Sequence, residues 1–488
     1  MSKVLQAIKQ WTKQQPDKWA IKSNVQSYCY ADLFNEINQI ANSLADYKGQ
    51  TVAIDIGNSS NWVIIDLACI QNSICTVPIP AFFTPSQREH ALISSGAVAL
   101  LNDRQKGNEI AVCGNQLIYI QPLTAQENKL PKLTAKVTYT SGSTGEPKGV
   151  CLSLSAMEQV AESLLVVLGN EIGKDTAAIL PLPVLLENIA GCYATLLAGG
   201  CYNIHTPDRT GSTQPFMPDF KRLAKYLQQT NATSCILVPE LLRGLMQALV
   251  ITQSTLPAMK YIAVGGSKVS DKLLMQAQAL GLPVYQGYGL SEAASVIAIN
   301  HPAQNNLTSV GQLLPHIELV SSDNGELIIN NPAFLGYVGD ECGYKNTTTT
   351  FTTGDLGNLD QENFVHLSGR KKNLLITSLG RNVSPEWPES ELLTQTAIAQ
   401  AVVVGDGQAY LSALIVPSSP DSENKQIKES INQTNNNLPE YAHIKKWIIV
   451  APFTLENGQL TGTGRIRRNI IMKNYSSEIQ QLYREDKP

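Results

Sequence analysis

Short apolar runs alternate with longer amphipathic stretches through the first hundred residues. Thr51–Gly57 (TVAIDIG) reads as a strand, Asn61–Gln71 as a helix, Ile74–Ile79 as a strand, Pro85–Ser95 as a helix and Ala97–Leu101 as a strand. Brief apolar runs bounded by turn residues fit buried strands, and their alternation with helical segments predicts a βαβαβ unit. The pattern weakens after Phe351. Beyond Arg370 the apolar runs shorten to Ala401–Gly405, Leu411–Pro417 and Lys446–Ala451, with a polar helix-like stretch at Asp421–Asn436. The change predicts a boundary near Ser368–Lys372. A large α/β domain of helix-covered, mostly parallel sheets is expected over residues 1–369, and a small, mobile α+β domain over residues 370–488. A length of 488 residues suits two unequal domains, and no fixed-period repeat or heptad breaks the picture.

Composition narrows the function classes. Hydrophobic residues make up 43% and charged residues 16%, an ordinary globular balance that excludes disordered and collagen-like chains. Lys+Arg 37 against Asp+Glu 41 leaves a formal net charge of −4, which argues against a nucleic-acid partner. Nine cysteines without a CxxC pair suggest neither a zinc ribbon nor a disulfide framework, but reduced, mostly buried thiols in the cytoplasm. The amino terminus has no apolar core of the secretory kind. The most apolar stretch, Ala177–Gly200, carries Pro181, Pro183, Glu187 and Asn188, so no transmembrane segment is expected. No HExxH or Gly-x-Ser-x-Gly is present, which disfavours zinc chemistry and a serine hydrolase.

The richest segment is Thr138–Val150, TYTSGSTGEPKGV, entered from a strand-like run at Lys136–Tyr139. Small residues from Thr140 through Ser141, Gly142, Ser143, Thr144 and Gly145 let backbone N–H groups converge on one anion. Their hydroxyls add donors and Lys148 adds a cation, so the loop suits a triphosphate, although the Walker A spacing is absent. In QGYGLSEA (286–293), Gly287 and Gly289 flank Tyr288 and leave room for its ring to lie flat against a base. Ser291 and Glu292 offer oxygen ligands suited to Mg2+. In FTTGDLG, Asp355 is placed in a tight turn where a carboxylate accepts ribose hydroxyls. Arg370 reads either as a contact to the same nucleotide or as part of a solvated charge run with Lys371 and Lys372.

Taken in order, these motifs resemble the acyl-adenylate-forming superfamily of acyl-CoA synthetases, stand-alone adenylation enzymes and luciferases, over nearly the whole chain. GRKKNLLITSLGRNVSP (369–385) and LPLPVLLE (180–187) look most like long-chain and medium-chain acyl-CoA synthetases. The resemblance implies ATP and Mg2+ as cofactors and a small-molecule carboxylic acid as substrate. The acid attacks the α-phosphate to give an acyl-adenylate and pyrophosphate, and a thiol then displaces AMP. The thiol is that of CoA or of phosphopantetheine on an acyl carrier protein. By the same resemblance Gly266 and Ser267 form an adenine-side turn, and Gln286 to Gly289 hold the base with Tyr288. Asp355 and Arg370 then hold ribose, while Glu292 with Ser291 or Thr140 holds magnesium. Val184 and Gly265 line the acyl pocket. Lys372 is the implied pivot of the small domain, and Gly380 marks the loop that swings in for thiolation.

Three departures stand out. Val184 occupies a position where the long-chain enzymes usually carry a histidine, with Glu187 following at the matching place. The large domain is compact, implying a short or differently shaped acyl tunnel. Thr463-Gly464-Arg465-Ile466-Arg467-Arg468 places Arg465 where the family has its catalytic lysine. Three functions follow: a fatty or other hydrophobic acid–CoA ligase, a stand-alone enzyme loading a carrier protein, or a nucleotide-binding relative with impaired adenylation. The basic run Arg465–Lys473 reads equally as a phosphate contact or as a solvated charged helix.

Overall fold

The computed structural model describes residues 2–104, 106–113, 116–124, 130–140, 147–169, 173–212, 218–340, 349–420, 424–461 and 464–484. Two large sheets carry the first three hundred residues. In the first, strands run in the order Phe334–Tyr337, Lys148–Ser153, Thr134–Thr140, Cys75–Pro78, Thr51–Asp55, Ala99–Asn102, Gln116–Pro122 and Asn108–Cys113. Thr51–Asp55 lies parallel to Cys75–Pro78 and to Ala99–Asn102, joined by the helices Ser60–Gln71 and Pro85–Ser94. The expected βαβαβ unit is therefore present. Both edges of this sheet are antiparallel, so it is mixed rather than mostly parallel.

The second sheet is parallel through Trp19–Lys22, Cys201–Asn203, Asp175–Ala177, Ser234–Leu237, Tyr261–Val264 and Val284–Tyr288. The main core fills the space between the sheets with helices that are apolar on most sides. Ser60–Gln71 is buried from Ser60 through Cys69 and begins on the Ser59 hydroxyl, which accepts from the Trp62 N–H. The apolar stretch after Ala177 folds into a turn, a π-helical segment Leu186–Tyr193 and a short helix Ala194–Leu197. Among the described residues no helix is long and apolar enough to cross a membrane.

An antiparallel sheet of Glu318–Ser321, Glu326–Asn330, Thr350–Leu359 and Val365–Arg370 follows. Asp355 lies inside the strand Thr350–Leu359, not in the tight turn expected for it. Gly354, at φ +74°, supplies the local twist without a turn. Past Arg370 a separate apolar core forms around a three-stranded sheet of Ile398–Val404, Leu411–Pro417 and Ile444–Ile449. The helix Asn424–Asn435 covers it where the polar stretch was expected, and residues 421–423 lie outside the described ones. Cys29, Cys69, Cys75, Cys151, Cys192, Cys201 and Cys235 are free, and all of these except half-buried Cys29 are buried.

Candidate active site

The carboxyl ends of three parallel strands converge because Leu237, Val264 and Gln286 stand in register. Crevices at such ends are where open α/β sheets bind ligands. A side chain on Gly265 would come within 3.0 Å of the Gly287 carbonyl, and Gly266 sits at φ +91°, so this turn needs glycine twice. Gly289 is more constrained still, because a Cβ there would overlap the Ser295 carbonyl at 1.6 Å. The Gly-Tyr-Gly spacing is thus fixed first by a close backbone crossing.

Tyr288 packs its ring among Ala293, Ile297 and Val310, and its hydroxyl donates to Asp355 Oδ2 at 2.7 Å. Burial, then the neighbouring Asp355 carboxylate, pushes its phenol pKa up, so it stays a donor. Asp355 and Arg370 face each other across adjacent strands, and Arg370 Nε lies 2.7 Å from Asp355 Oδ1. Both oxygens of one carboxylate are thereby oriented, one by a phenol and one by a guanidinium. The two motifs joined here are 67 residues apart in sequence. Arg370 makes this contact while its side chain is 42% exposed, and Lys371 and Lys372 beside it are exposed.

The phosphate-loop candidate is the connection of an antiparallel hairpin that closes on the pair Thr140 and Lys148. Thr140 Oγ1 lies 3.5 Å from the Lys148 carbonyl. Ser141, Gly142, Ser143, Thr144 and Gly145 lie outside the described residues. Lys148 is exposed, with its ammonium 5.5 Å from the centre of the Tyr337 ring. Tyr337 donates to Glu292 Oε1 at 2.9 Å. Lys148 and Glu292 therefore share one aromatic neighbour that sequence reasoning missed. Its strand pairs with Lys148–Ser153 across a sheet edge, a contact without local sequence signal. Ser291 and Glu292 form a short 3-10 turn, half-buried beside this group.

The small domain reaches the same place. Arg465 extends toward the Gly266 turn, its Nη2 3.7 Å from where a Gly266 Cβ would stand. The residue keeps access to water, yet the protein crowding it lowers its pKa, chiefly by desolvation and next by Arg370. Glu240 and Asp355 oppose that shift. Glu240 opens the helix Pro239–Thr252 beyond the strand Ser234–Leu237 and had no sequence signal of its own. Lys372 lies in the turn after Arg370; burial and then Arg370 lower its pKa, while Asp355 and Glu386 raise it. Gly380 is elsewhere: at φ +72° it tips a hairpin whose Leu379 is 76% exposed. Arg465 is the small-domain side chain that reaches the Gly266 turn.

Val184 is half-buried in the turn before the π-helical segment. That turn is clamped twice. Asn58 Nδ2 donates to the Leu180 carbonyl at 2.9 Å, and its Oδ1 accepts from the Leu182 N–H at 2.8 Å. Glu187 accepts from the Leu180 N–H at 2.9 Å and from Tyr202 at 2.7 Å. Burial pushes the Glu187 carboxyl up to about 7, outweighing the pull of these donors. In the basic run, Arg467 and Arg468 turn inward onto the Gly458 carbonyl and Glu389, while Arg465 and Lys473 stay exposed.

The model of the AMP-binding enzyme family matches residues 8–337. The chain belongs to that family. The AMP-binding enzyme C-terminal domain matches residues 372–487. Among similar proteins, the long-chain-fatty-acid–CoA ligase FadD15 of Mycobacterium bovis is 30% identical over 253 residues. That match covers 46% of this chain and 42% of the relative, so less than half of the relative's length is spanned. The 2-succinylbenzoate–CoA ligase of Bacillus pumilus is 26% identical over 422 residues, covering 80% of this chain and 82% of that protein. The crystal structure of the anthranilate CoA ligase AuaEII with anthranoyl-AMP superposes with a TM-score of 0.81 at 17% identity, covering 99% of this chain and 98% of that one. The MenE structure from Bacillus subtilis with ATP and magnesium gives 0.75 at 22% identity, covering 95% and 98%. At such identities the structural likenesses establish the shared fold of this family member.

Proposed function

We propose that this chain is an AMP-forming acid–thiol ligase that converts a carboxylic acid to its acyl-adenylate with MgATP and then to a thioester with CoA. The observation that carries the reading is the approach of three groups carried on three different sheets. These are Asp355 with Arg370 and Tyr288, Lys148 with Glu292 through Tyr337, and Arg465 against Gly266. In this reading Asp355 and Arg370 take ribose, Tyr288 the adenine, and Lys148 with the preceding loop the pyrophosphate. Glu292 is a hard oxygen ligand beside a lysine, which suits magnesium bridging phosphates. Catalysis of the first step is charge neutralisation and alignment of two anions, and Arg465 supplies the cation nearest the Gly266 turn. Arginine spreads that charge over a planar fork, so its geometry differs from that of the family's lysine.

Residues 1–369 form the nucleotide and acyl domain in this proposal, and residues 370–488 rotate about Lys372 to bring the Gly380 loop inward. The half-buried turn at Val184 and the Gly265 crossing form the acyl pocket. The acid is fatty or otherwise hydrophobic, supported by the resemblance of the Leu180–Glu187 and Gly369–Pro385 motifs to fatty acyl-CoA synthetases. Free, mostly buried thiols support a cytoplasmic setting.

The test is pyrophosphate release over a panel of carboxylic acids, followed by thioester formation with CoA or with a holo-carrier protein. Acid-dependent release with CoA as the better acceptor is expected. Lys148→Ala should raise the ATP KM and lower kcat together. ATP binding without release for any acid would leave a nucleotide-binding relative, and preference for the carrier would reassign the acceptor.

A further inference from the structure

Arg465 is carried on a narrow hairpin. Leu460 and Ile466 bridge its two sides, the Thr461 N–H donates to the Arg465 carbonyl at 2.7 Å, and the Arg467 N–H donates to the Gln459 carbonyl at 2.8 Å. Thr461 Oγ1 accepts from the Arg465 N–H at 3.0 Å. These contacts shape the hairpin but do not fix its direction relative to the rest of the small domain.

That direction is set three residues later. Arg468 opens the helix Arg468–Asn474 and turns away from solvent. Its Nη2 donates to Glu389 Oε1 at 2.5 Å, and its Nη1 donates to the Val403 carbonyl at 2.8 Å. The Val403 N–H returns to the same Glu389 oxygen at 2.7 Å. Three residues from a helix, an edge strand and the hairpin's exit thus close a ring. The two charged side chains are 15% and 9% exposed. Glu389 belongs to the helix Glu386–Leu392, whose Glu386 accepts from Asn373 at 2.5 Å, one residue past Lys372.

A buried ion pair pays a desolvation cost that apolar residues would avoid, so its gain here is geometric rather than energetic. An arginine fork held at two points has a fixed direction, which a flexible lysine would not supply. The chain between Arg468 and Arg465 spans at most about 10 Å at ~3.3–3.6 Å per residue, so slack at the base reaches the tip undamped.

We propose that Glu389 and Arg468 are positioning residues for adenylation: their pair fixes the base of the hairpin and thereby aims the Arg465 guanidinium at the Gly266 turn. This rests on the adenylation reading above. The thiolation half-reaction, in which the Gly380 loop replaces Arg465, does not depend on that aim.

The experiment is Glu389→Gln, with Arg468→Lys as a milder variant, assayed in two halves. For a displacement of about 1 Å, pyrophosphate release should fall roughly 10²-fold. Thioester formation from the acyl-AMP of the best acid in the panel should change little. Hydrogen exchange should quicken at the Thr461, Gly464 and Arg467 amides while the strand Leu411–Pro417 stays protected. Arg468→Lys should fall between wild type and Glu389→Gln. Equal loss of both half-reactions, or unchanged pyrophosphate release in Glu389→Gln, would overturn the proposal. If the wild type releases no pyrophosphate with any acid, the adenylation reading fails on its own; unchanged hairpin exchange would then overturn the positioning role separately.

Discussion

The large domain buries Lys136 against Asp66, and the small domain buries Arg468 against Glu389. The first pair is sealed, with both side chains 1% exposed. Lys136 Nζ donates to Asp66 Oδ1 at 2.8 Å and to Asn188 Oδ1 at 2.6 Å, and Tyr193 donates to Asp66 Oδ2 at 2.6 Å. The Trp62 and Tyr193 rings flank the ammonium at 5.5 and 5.3 Å. This cluster locks the strand that runs into the Thr140–Lys148 hairpin, the helix Ser60–Gln71 and the π-helical segment into one body. The second pair has one carboxylate oxygen, one guanidinium and the N–H and carbonyl of one backbone residue, and stays partly wet. A static frame tolerates complete desolvation when every polar atom is met. For the rotation proposed above, a lever on the small domain needs direction more than depth.

The sharpest way to break this comparison is Lys136→Met. It strands Asp66 in the core without its cation, and removing one member of a sealed pair costs about 3–5 kcal/mol. Urea denaturation should show that loss, with a smaller one for Arg468→Met. Equal losses would erase the distinction between frame and lever.

Glu187, the fully buried one of the two clamps on the Leu180 turn, gives a second test with a defined pH direction. Its folded pKa is raised from 4.5 to about 7, burial being the main cause. Below pH 4.5 both folded and unfolded chains hold the proton and no penalty exists. Between 4.5 and about 7 the unfolded chain loses its proton first, so this group's contribution to stability falls as pH rises. The full penalty, above that window, is about 3 kcal/mol. Glu187→Gln should flatten this slope in denaturation curves taken from pH 4.5 to 7.5 by about that amount. A slope unchanged by the substitution would mean that Glu187 ionises normally.

The smallest effect belongs to the surface. Lys3 and Glu162 lie 2.6 Å apart but are 54% and 39% exposed. Lys3→Ala should cost less than about 1 kcal/mol and lose even that in high salt, because exposed pairs are screened. A larger loss in the same denaturation assay would show that short distance, and not burial, governs these pairs.

Local pattern was a good guide where one element carries its own signal. Thr51–Asp55, Ser60–Gln71 and Leu411–Pro417 lie where the apolar runs put them, to within two residues at their ends. The pattern misplaced Asp355, because a Gly-Asp pair reads as a turn when the pairing strand Val365–Arg370 is out of view. It misread Arg467 and Arg468 as either phosphate contacts or solvent-facing, since the sequence does not say that Glu389 waits 79 residues upstream. Tyr337 and Asn58 were silent for the same reason.

Sequence alone determined the α/β class and the order of the glycine-rich and charged motifs, because each depends on residues adjacent in the chain. The glycine requirement at Gly289, the orientation of Asp355 by Tyr288 and Arg370, and the reach of Arg465 to Gly266 were decided only in three dimensions. The reason is physical: hydrogen bonds and steric contacts act over a few ångströms of space, and no local pattern records which distant residue occupies that space.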